Sequence, residues 1–138
     1  MPSRSSGRDR GGGGVAFSVG VDVEDVARFS GAATNPRLRG LFAAGEAAHC
    51  EAFADADARF AGTWCAKEAA IKALWPWVHL DPRRVTVAHA PDGRPEISIE
   101  GWRLEDADVE IRVSVSHTPS VATASAIAWG PRPAGPKP

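Results

Sequence analysis

Residues 15–24 read VAFSVGVDVE, with large apolar side chains at every second position. Side chains of a β-strand alternate between its two faces, so this spacing predicts a strand. One face of the predicted strand carries only valine and phenylalanine. The other face carries Ala16, Ser18, Gly20, Asp22 and Glu24. The small side chains of this second face leave room for another group to approach the backbone.

Residues 57–75 give the strongest helix signal of the chain. At ~100° per residue, one apolar arc of this helix contains Phe60, Trp64, Ile71 and Trp75. Glu68 lies inside this arc, whereas Lys67 lies on the other flank, where we expect it to face the solvent. Carboxylates are rarely buried unless they are paired or bind a metal. Glu68, Asp22 and Glu24 therefore each require a partner.

The rest of the chain predicts shorter helices followed by two hairpins. A helix is expected to start in residues 24–29, and a weaker one covers residues 37–54, where glycines lower its propensity. The strands of the two hairpins are predicted at residues 85–89, 95–100, 109–116 and 121–129. Helices first and hairpins later argue for an α+β fold, with a largely antiparallel sheet packed on the long helix.

The composition is typical of a soluble globular protein: 138 residues, 43% hydrophobic, 24% charged and a net charge of −1. This charge gives no reason to expect nucleic acid or a membrane surface as partner. No apolar run approaches the ~20 residues of a transmembrane helix. Two cysteines are too few for a disulfide scaffold, so we expect a reducing, cytoplasmic location, with Cys65 as a small core residue.

Three segments are predicted along the chain. Residues 15–130 form one domain, which contains every strand and helix signal. Residues 1–14, rich in Arg, Ser and Gly, are expected to be a disordered leader. Residues 131–138, rich in proline, are expected to be a disordered tail that holds neither helix nor sheet.

Asp22 and Glu24 point the same way from the predicted strand and would repel each other without a cation between them. Oxygen ligands of this kind, completed by waters and substrate phosphates, suit Mg²⁺. The alternative is a strand end that emerges into solvent, where acidic residues are ordinary. The pair alone does not decide between the two.

Glu68 and Lys72 lie one helical turn apart. One reading is a surface ion pair in the favourable order, contributing ~0.3 kcal/mol. Such pairs normally lie opposite the apolar arc, and Glu68 lies within it. The other reading is a site for a metal–phosphate, in which the carboxylate binds the cation and the ammonium binds a phosphate oxygen.

Ser116, His117 and Thr118 occupy the turn between the last two strands, where functional groups are often displayed. Hydroxyl, imidazole and backbone N–H groups together suit a phosphate. Ordinary turn chemistry of serine, threonine and proline is the alternative.

Taken together, four motifs resemble those of the 4′-phosphopantetheinyl transferase superfamily. They are VGVDVE at residues 19–24, WCAKEAAIKAL at 64–74, DGRP at 92–95 and VSVSHT at 113–118. Each motif alone is weak, whereas their order and spacing are specific. The short chain and its single set of motifs resemble the small branch of that superfamily, the holo-acyl-carrier-protein synthases.

The resemblance implies the fold of that superfamily and a Mg²⁺-dependent reaction. The enzyme would transfer 4′-phosphopantetheine from coenzyme A to a serine of an apo acyl carrier protein, releasing adenosine 3′,5′-bisphosphate. Asp22 and Glu68 match the metal ligands, and Lys72 matches a lysine that contacts a coenzyme A phosphate. The remaining matches to the coenzyme A site are Gly93, Arg94, Pro95, Ser116, His117 and Thr118.

The resemblance also implies partners and further roles. Arg28 is expected to help dock the carrier protein, and the enzyme is expected to be a homotrimer with active sites between subunits. Glu24 resembles a second acid of the larger, two-lobed branch, so we expect it to bind the metal directly or through water. Glu68 is the expected general base and Asp22 the second choice. The carrier could serve fatty acid and lipid, polyketide or peptide biosynthesis.

Two other functions fit parts of the pattern. A non-catalytic module of the same fold would recognise a carrier protein without modifying it, although the complete set of acids and lysine argues against this. An unrelated Mg²⁺-dependent phosphotransferase or nuclease would use the same acids. The net charge of −1 and the lack of a basic stripe argue against a nucleic-acid substrate.

Overall fold

Five β-strands and one long helix dominate the structure, a computed structural model that describes residues 13–134. The strands are β1 (Val15–Asp25), β2 (Val85–His89), β3 (Pro95–Ile99), β4 (Glu110–His117) and β5 (Val121–Pro131). The helices are α1 (Pro36–Arg39), α2 (Ala44–Glu51) and α3 (Ala56–Leu74). Short 3₁₀ turns lie at Val26–Phe29, Ala32–Thr34 and Pro82–Arg84. No helix of the described range is long and apolar enough to cross a membrane.

All strand pairs are antiparallel. Strand β5 lies between β1 and β4 in a three-stranded sheet, and β2 pairs with β3 in a separate hairpin. In the sheet, Gly20 of β1 lies opposite Ala126 of β5, and Asp22 lies opposite Ala124. The predicted α+β fold, with a largely antiparallel sheet packed on a long helix, is confirmed.

Helix α3 contacts β1 and β5 through small residues. Every second residue of β5 from Ala122 to Ala128 is a buried alanine. Gly20 marks the closest approach, because a Cβ atom there would lie 2.0 Å from the carbonyl oxygen of Ala69. Helix α3 therefore fills the space that the small face of β1 leaves free.

The opposite face of β1 is exposed. Its large apolar side chains are all at least 60% exposed, namely Val15, Phe17, Val19, Val21 and Val23. Asp22 and Glu24, in contrast, are largely covered, with side chains 16% and 13% exposed. The face of β1 that looks more polar in the sequence is thus the one that packs inside this chain.

The large core side chains gather before and along α3. Phe42 packs edge-on against Phe60 at 5.0 Å between ring centroids and against Phe29 at 6.1 Å. Trp64 packs beside this cluster, as its place in the apolar arc predicts. Trp75 was expected in the same arc, but it is 55% exposed, because α3 ends at Leu74 and the ring stacks on His79 at the surface.

Several boundaries differ from the sequence prediction. The helix expected in residues 24–29 is only a 3₁₀ turn, because β1 continues to Asp25, where it pairs with Val121. The helix expected at 37–54 is divided into α1 and α2. The predicted tail is wrong at Pro131, which ends β5 opposite Val15, a strand terminus that tolerates proline. The pairing extends one residue further, since the N–H of Arg132 donates to the carbonyl oxygen of Gly14 at 2.9 Å. Residues 1–12 and 135–138 of the predicted leader and tail lie outside the described range.

The expectation for Lys67 is wrong, since its side chain is 1% exposed. Helix α2 and strand β2 cover the flank of α3 that the apolar arc leaves open. There the ammonium of Lys67 forms an ion pair with Glu46. A position on the polar flank of a helix therefore does not predict an exposed side chain when a second layer packs on that flank.

Candidate active site

The contact at Gly20 brings Asp22 of β1 beside Lys72 of α3. Lys72 supplies part of the helix surface against which Gly20 packs. Its Nζ atom donates a hydrogen bond to the carbonyl oxygen of Val21 at 2.9 Å and lies 3.5 Å from Oδ1 of Asp22. Two groups fifty residues apart in the chain thus form one charged pair at the edge of the sheet.

The second carboxylate oxygen of Asp22 has no partner. Oδ2 is buried and, by distance and angle, receives no hydrogen bond from any residue in the range 13–134. The Cys65 thiol lies close enough to this carboxylate to interact with it, but it donates to the carbonyl oxygen of Ala122. A buried acceptor without a donor is costly, and such atoms in native proteins call for a missing water, ion or functional role. An oxygen-binding cation fits this atom, so Asp22 has the character of a metal ligand.

Glu68 shares the environment of Asp22. Partial burial raises the pKa of Glu68, and repulsion from Asp22 and Glu24 raises it further, although Lys72 opposes the shift. Carboxylates perturb one another in this way when they lie close together. A divalent cation would relieve the repulsion between them.

Cys65 lies beside the same acids. Burial raises the pKa of its thiol to about 12, and the charge of Asp22 and the polar contact of the thiol with that carboxylate raise it further, followed by the charges of Glu24 and Glu68. The thiol contacts the carbonyl oxygen of Ala122 at 3.6 Å. Cys65 is therefore a neutral, buried core residue, as predicted, rather than a nucleophile.

Glu24 is held by a different partner. Its Oε1 atom accepts a hydrogen bond from Nη1 of Arg28 at 2.6 Å. In the part of the chain that the structure describes, no three His, Cys, Asp or Glu side chains form a group that could hold a metal ion. The structure thus brings Asp22 and Glu68 into one environment, while Glu24 is engaged by Arg28.

A cavity of about 620 Å³ lies between α3, the β2–β3 hairpin and β4. Four residues predicted for the coenzyme A site line it: Gly93, Arg94, Pro95 and His117. Gly93, at φ +89°, makes the hairpin turn, and the Arg94 guanidinium donates to Asp92 at 2.7 Å. The Arg94 backbone N–H and guanidinium also lower the pKa of Asp92. The cavity contains none of Asp22, Glu68 and Lys72.

Ser116 and Thr118 do not line this cavity. The expectation that Ser116 and His117 lie in the turn is wrong, because they are the last two residues of β4 and pair with β5. Successive side chains of a strand point to opposite faces, which separates Ser116 from His117. The hydroxyl of Thr118 accepts hydrogen bonds from the N–H groups of Ser120 and Val121 at 3.2 and 3.0 Å. The Thr118 hydroxyl thus stabilises the turn, which is the alternative to phosphate binding considered for this segment.

The cavity also contains basic residues that the sequence analysis missed. Arg59 and Arg112 line it, together with His49 and His89, whose rings stack at 3.8 Å between centroids. Burial lowers the pKa of His89, and the nearby His49 and Arg59 lower it further. Arg59 precedes two other cavity-lining residues of α3, Gly62 and Ala66, by three and seven positions. This helical spacing places the three on one face of α3, and it is a signal that the sequence contains. Nothing in the sequence links His49 to His89.

Together, the neighbouring carboxylates, the adjacent ammonium and the basic cavity are groups of the kind that bind a metal–phosphate. The chain belongs to the 4′-phosphopantetheinyl transferase superfamily, whose family model matches residues 18–128. The predicted membership is therefore confirmed, and with it the class of enzyme.

Named relatives agree with this membership. The chain is 33% identical over 119 residues to the holo-acyl-carrier-protein synthase of Verminephrobacter eiseniae, covering 79% of this chain and 90% of that protein. It is 39% identical over 119 residues to the enzyme of the same name from Beutenbergia cavernae, covering 83% and 98%.

Solved structures show the same fold. A coenzyme A complex of ACPS from Chronobacterium ammoniagenes matches with a TM-score of 0.69 at 26% identity, covering 83% of this chain and 98% of that one. The acyl carrier protein synthase of Mycobacterium tuberculosis matches with a TM-score of 0.64 at 30% identity, covering 86% and 100%.

Proposed function

We propose that this chain transfers 4′-phosphopantetheine from coenzyme A to a serine of an apo acyl carrier protein, in a Mg²⁺-dependent reaction that releases adenosine 3′,5′-bisphosphate. The observation that carries the proposal is the site beside Gly20. There the buried, unpartnered Oδ2 of Asp22 lies in the same environment as Glu68 and Lys72. The relatives named holo-acyl-carrier-protein synthase support the same reaction.

We assign Mg²⁺ to Asp22 and Glu68. Two carboxylates suit this cation, which keeps several waters and binds substrate phosphates. Glu24 acts through water in this proposal, because Arg28 already occupies one of its oxygens. Bound to Asp22 and Glu68, the cation would supply positive charge beside the pyrophosphate of coenzyme A.

The protein side chains supply the remaining chemistry. Lys72 places a second positive charge where a coenzyme A phosphate would bind, and Glu68 accepts the proton of the carrier serine. Phosphoryl transfer depends mainly on positioning and electrostatics, so these groups suffice.

The basic cavity is proposed to hold the nucleotide end of coenzyme A. Gly93, Arg94, Pro95 and His117 line it as the resemblance implies, and Arg59 adds a further positive charge. Ser116, near the end of β4, and Thr118, in the turn that follows, are also proposed to contact coenzyme A. Guanidinium groups suit phosphate oxygens because they donate in a planar, bidentate geometry.

A homotrimer would unite the two halves of the site. Asp22, Glu68 and Lys72 lie outside the cavity of their own chain, which supports a site that takes its cavity from a neighbouring subunit. The exposed apolar face of β1 suits a subunit interface, since monomers rarely leave a contiguous patch of this kind uncovered. The proposed trimer therefore has its active sites between subunits.

The carrier protein is proposed to dock near Arg28. This side chain is 67% exposed and follows directly after β1, close to the acids of the site. A guanidinium in this position suits an acidic partner, mainly by steering and orienting it. The reaction is proposed to take place in the cytoplasm, for fatty acid, polyketide or peptide biosynthesis.

The direct test is to incubate the purified protein with coenzyme A, Mg²⁺ and several apo carrier proteins and to measure the intact mass of each carrier. A phosphopantetheinyl adduct on the carrier serine is the expected result. Asp22→Ala and Glu68→Gln should each abolish it, whereas the exposed control Glu100→Gln should retain it. Activity retained in either site variant would contradict the metal assignment. Binding of a carrier without any adduct would favour the non-catalytic module.

A further inference from the structure

Glu46 of α2 and Lys67 of α3 form an ion pair in the interior. Oε1 of Glu46 lies 2.6 Å from Nζ of Lys67, and the two side chains are 0% and 1% exposed. At this depth the desolvation of both charges roughly offsets their attraction, so such pairs are poor sources of stability. The pair therefore needs an explanation other than stability.

The same two side chains also bind three backbone groups. Nζ of Lys67 donates to the carbonyl oxygen of Val85 at 2.7 Å. Oε2 of Glu46 accepts from the N–H of Val87 at 2.8 Å, and Oε1 accepts from the N–H of Ala43 at 2.7 Å. One ion pair thus connects the start of α2, the middle of α3 and strand β2.

These connections hold together two walls of the basic cavity. Val87 of β2 and Ala66 of α3 both line the cavity. The N–H of Val87 donates to Glu46, and Ala66 directly precedes Lys67 in the sequence. The hairpin that begins with β2 carries Gly93 and Arg94 at its tip. Among residues 13–134, this hairpin shares no strand pairing with the three-stranded sheet, so side-chain contacts have to set its distance from α3.

We infer that Glu46 and Lys67 are positioning residues: they fix the β2–β3 hairpin against α3 and thereby determine how tightly the cavity binds coenzyme A. The inference rests on the proposed function, which supplies the ligand. The pair is buried behind the cavity wall and contacts no substrate. Its effect on the substrate passes through the backbone of Val85 and Val87.

The decisive variant replaces both charges at once, as Glu46→Leu with Lys67→Met. Each single replacement leaves a buried charge without its partner and should lower the melting temperature strongly. The double variant removes both charges in favour of apolar groups, so it should melt above either single variant. It should still melt below the wild type, because the backbone groups of Ala43, Val85 and Val87 lose their partners. It lacks every bond from the pair to Val85 and Val87.

For this double variant we expect the dissociation constant of coenzyme A to rise about tenfold, a size typical of coupling between contacting groups. The KM for coenzyme A should rise in parallel, while kcat at saturating coenzyme A stays within about twofold, since Asp22, Glu68 and Lys72 are unchanged. The control Ile71→Val, on the same helix, should lower the melting temperature slightly without changing either constant. A folded double variant with wild-type affinity would overturn the inference, as would a loss confined to kcat.

Amide hydrogen exchange at Val87 separates this inference from the proposed function. The N–H of Val87 donates to Glu46, so its exchange should become faster in the double variant and stay slow in Ile71→Val. This measurement requires neither coenzyme A nor a carrier protein. If the wild type failed to bind coenzyme A, the proposed function would fail, and unchanged exchange at Val87 would independently contradict the role of the pair.

Discussion

Gly20 occupies the point at which strand β1 and helix α3 come closest. A Cβ atom there would lie 2.0 Å from the carbonyl oxygen of Ala69 and 2.8 Å from the backbone nitrogen of Ala73. Both neighbours are backbone atoms, which cannot rotate away as a side chain does. Because Asp22 and Lys72 lie on either side of this contact, the missing side chain of Gly20 also sets the distance between two site residues.

Gly20→Ala should therefore affect stability and activity together. Overpacking at such a contact typically costs about 1–3 kcal/mol of the free energy of unfolding, and the separation of β1 from α3 should also slow transfer. Denaturant unfolding and the initial rate of transfer measure the two effects. Gly45→Ala is the matched control, since a Cβ atom there meets nothing within 4 Å and alanine favours a helix. Equal stability of Gly20→Ala and the wild type would contradict the close contact.

The raised pKa of Glu68 predicts how the stability of the metal-free protein depends on pH. Burial and the nearby acids raise its pKa above the ordinary 4.5, so between 4.5 and the raised value the native state binds more protons than the unfolded state. Without metal, the contribution of Glu68 to stability should therefore fall as the pH rises through this window. The measurement is the melting temperature of the wild type minus that of Glu68→Gln, in chelator, as a function of pH. Mg²⁺ should abolish the fall by binding the ionised carboxylate, and a difference independent of pH in chelator would contradict the prediction.

At the scale of elements, the hairpin of β2 and β3 delivers Arg94 to the cavity through the turn at Gly93. The N–H of Gly93 donates to the carbonyl oxygen of Ala90 at 2.8 Å, and the glycine takes a φ of +89°. Side chains strongly disfavour this conformation, because the Cβ atom approaches the carbonyl oxygen. The turn itself therefore requires Gly93, and any binding role of the Gly-Arg-Pro motif depends on this turn.

Gly93→Ala tests this element without steric conflict, since its Cβ atom would meet nothing within 4 Å. The backbone strain should cost about 1–2 kcal/mol and shift the tip of the hairpin. We expect a higher KM for coenzyme A with little change in kcat, measured by steady-state kinetics. An unchanged KM in a destabilised Gly93→Ala protein would show that the turn does not position Arg94.

Across the whole molecule, the largest apolar surface feature is a face of the sheet that residues 13–134 leave uncovered. Val19 is 74% exposed and Phe17 70% exposed, and both lie on one face of the sheet with Ile127 of β5. The same sheet face bounds a concavity of about 720 Å³ that Lys72 also lines. An interface here would bring a neighbouring chain close to Lys72, as the proposed trimer requires.

A charge on this face should therefore disrupt assembly. Val19→Lys places an ammonium in the proposed interface, where burying an unpaired charge is costly. We expect the wild type to have the mass of a trimer in light scattering, and Val19→Lys to be a folded monomer that no longer transfers phosphopantetheine. Ala48→Lys adds the same charge at an exposed position of α2 and should leave the trimer intact. A monomeric wild type with full activity would contradict the shared site.

The sequence alone determined the features that depend on residues close together in the chain. The alternation of residues 15–24, the helix signal over 57–75 and the hairpin turns recur in β1, α3 and the two hairpins almost at their predicted bounds. The order of the four motifs also sufficed to predict the family that the comparisons confirm.

Which surfaces meet follows from the three-dimensional arrangement of the elements and could not be predicted from the sequence. Alternation in β1 does not reveal that its apolar face stays open while the face with Gly20 is buried against α3. Helical periodicity placed Lys67 in solvent, because the pattern within one helix contains no record of Glu46 in another. The burial of a side chain depends on elements distant in sequence, so the residue pattern within one strand or helix does not determine it.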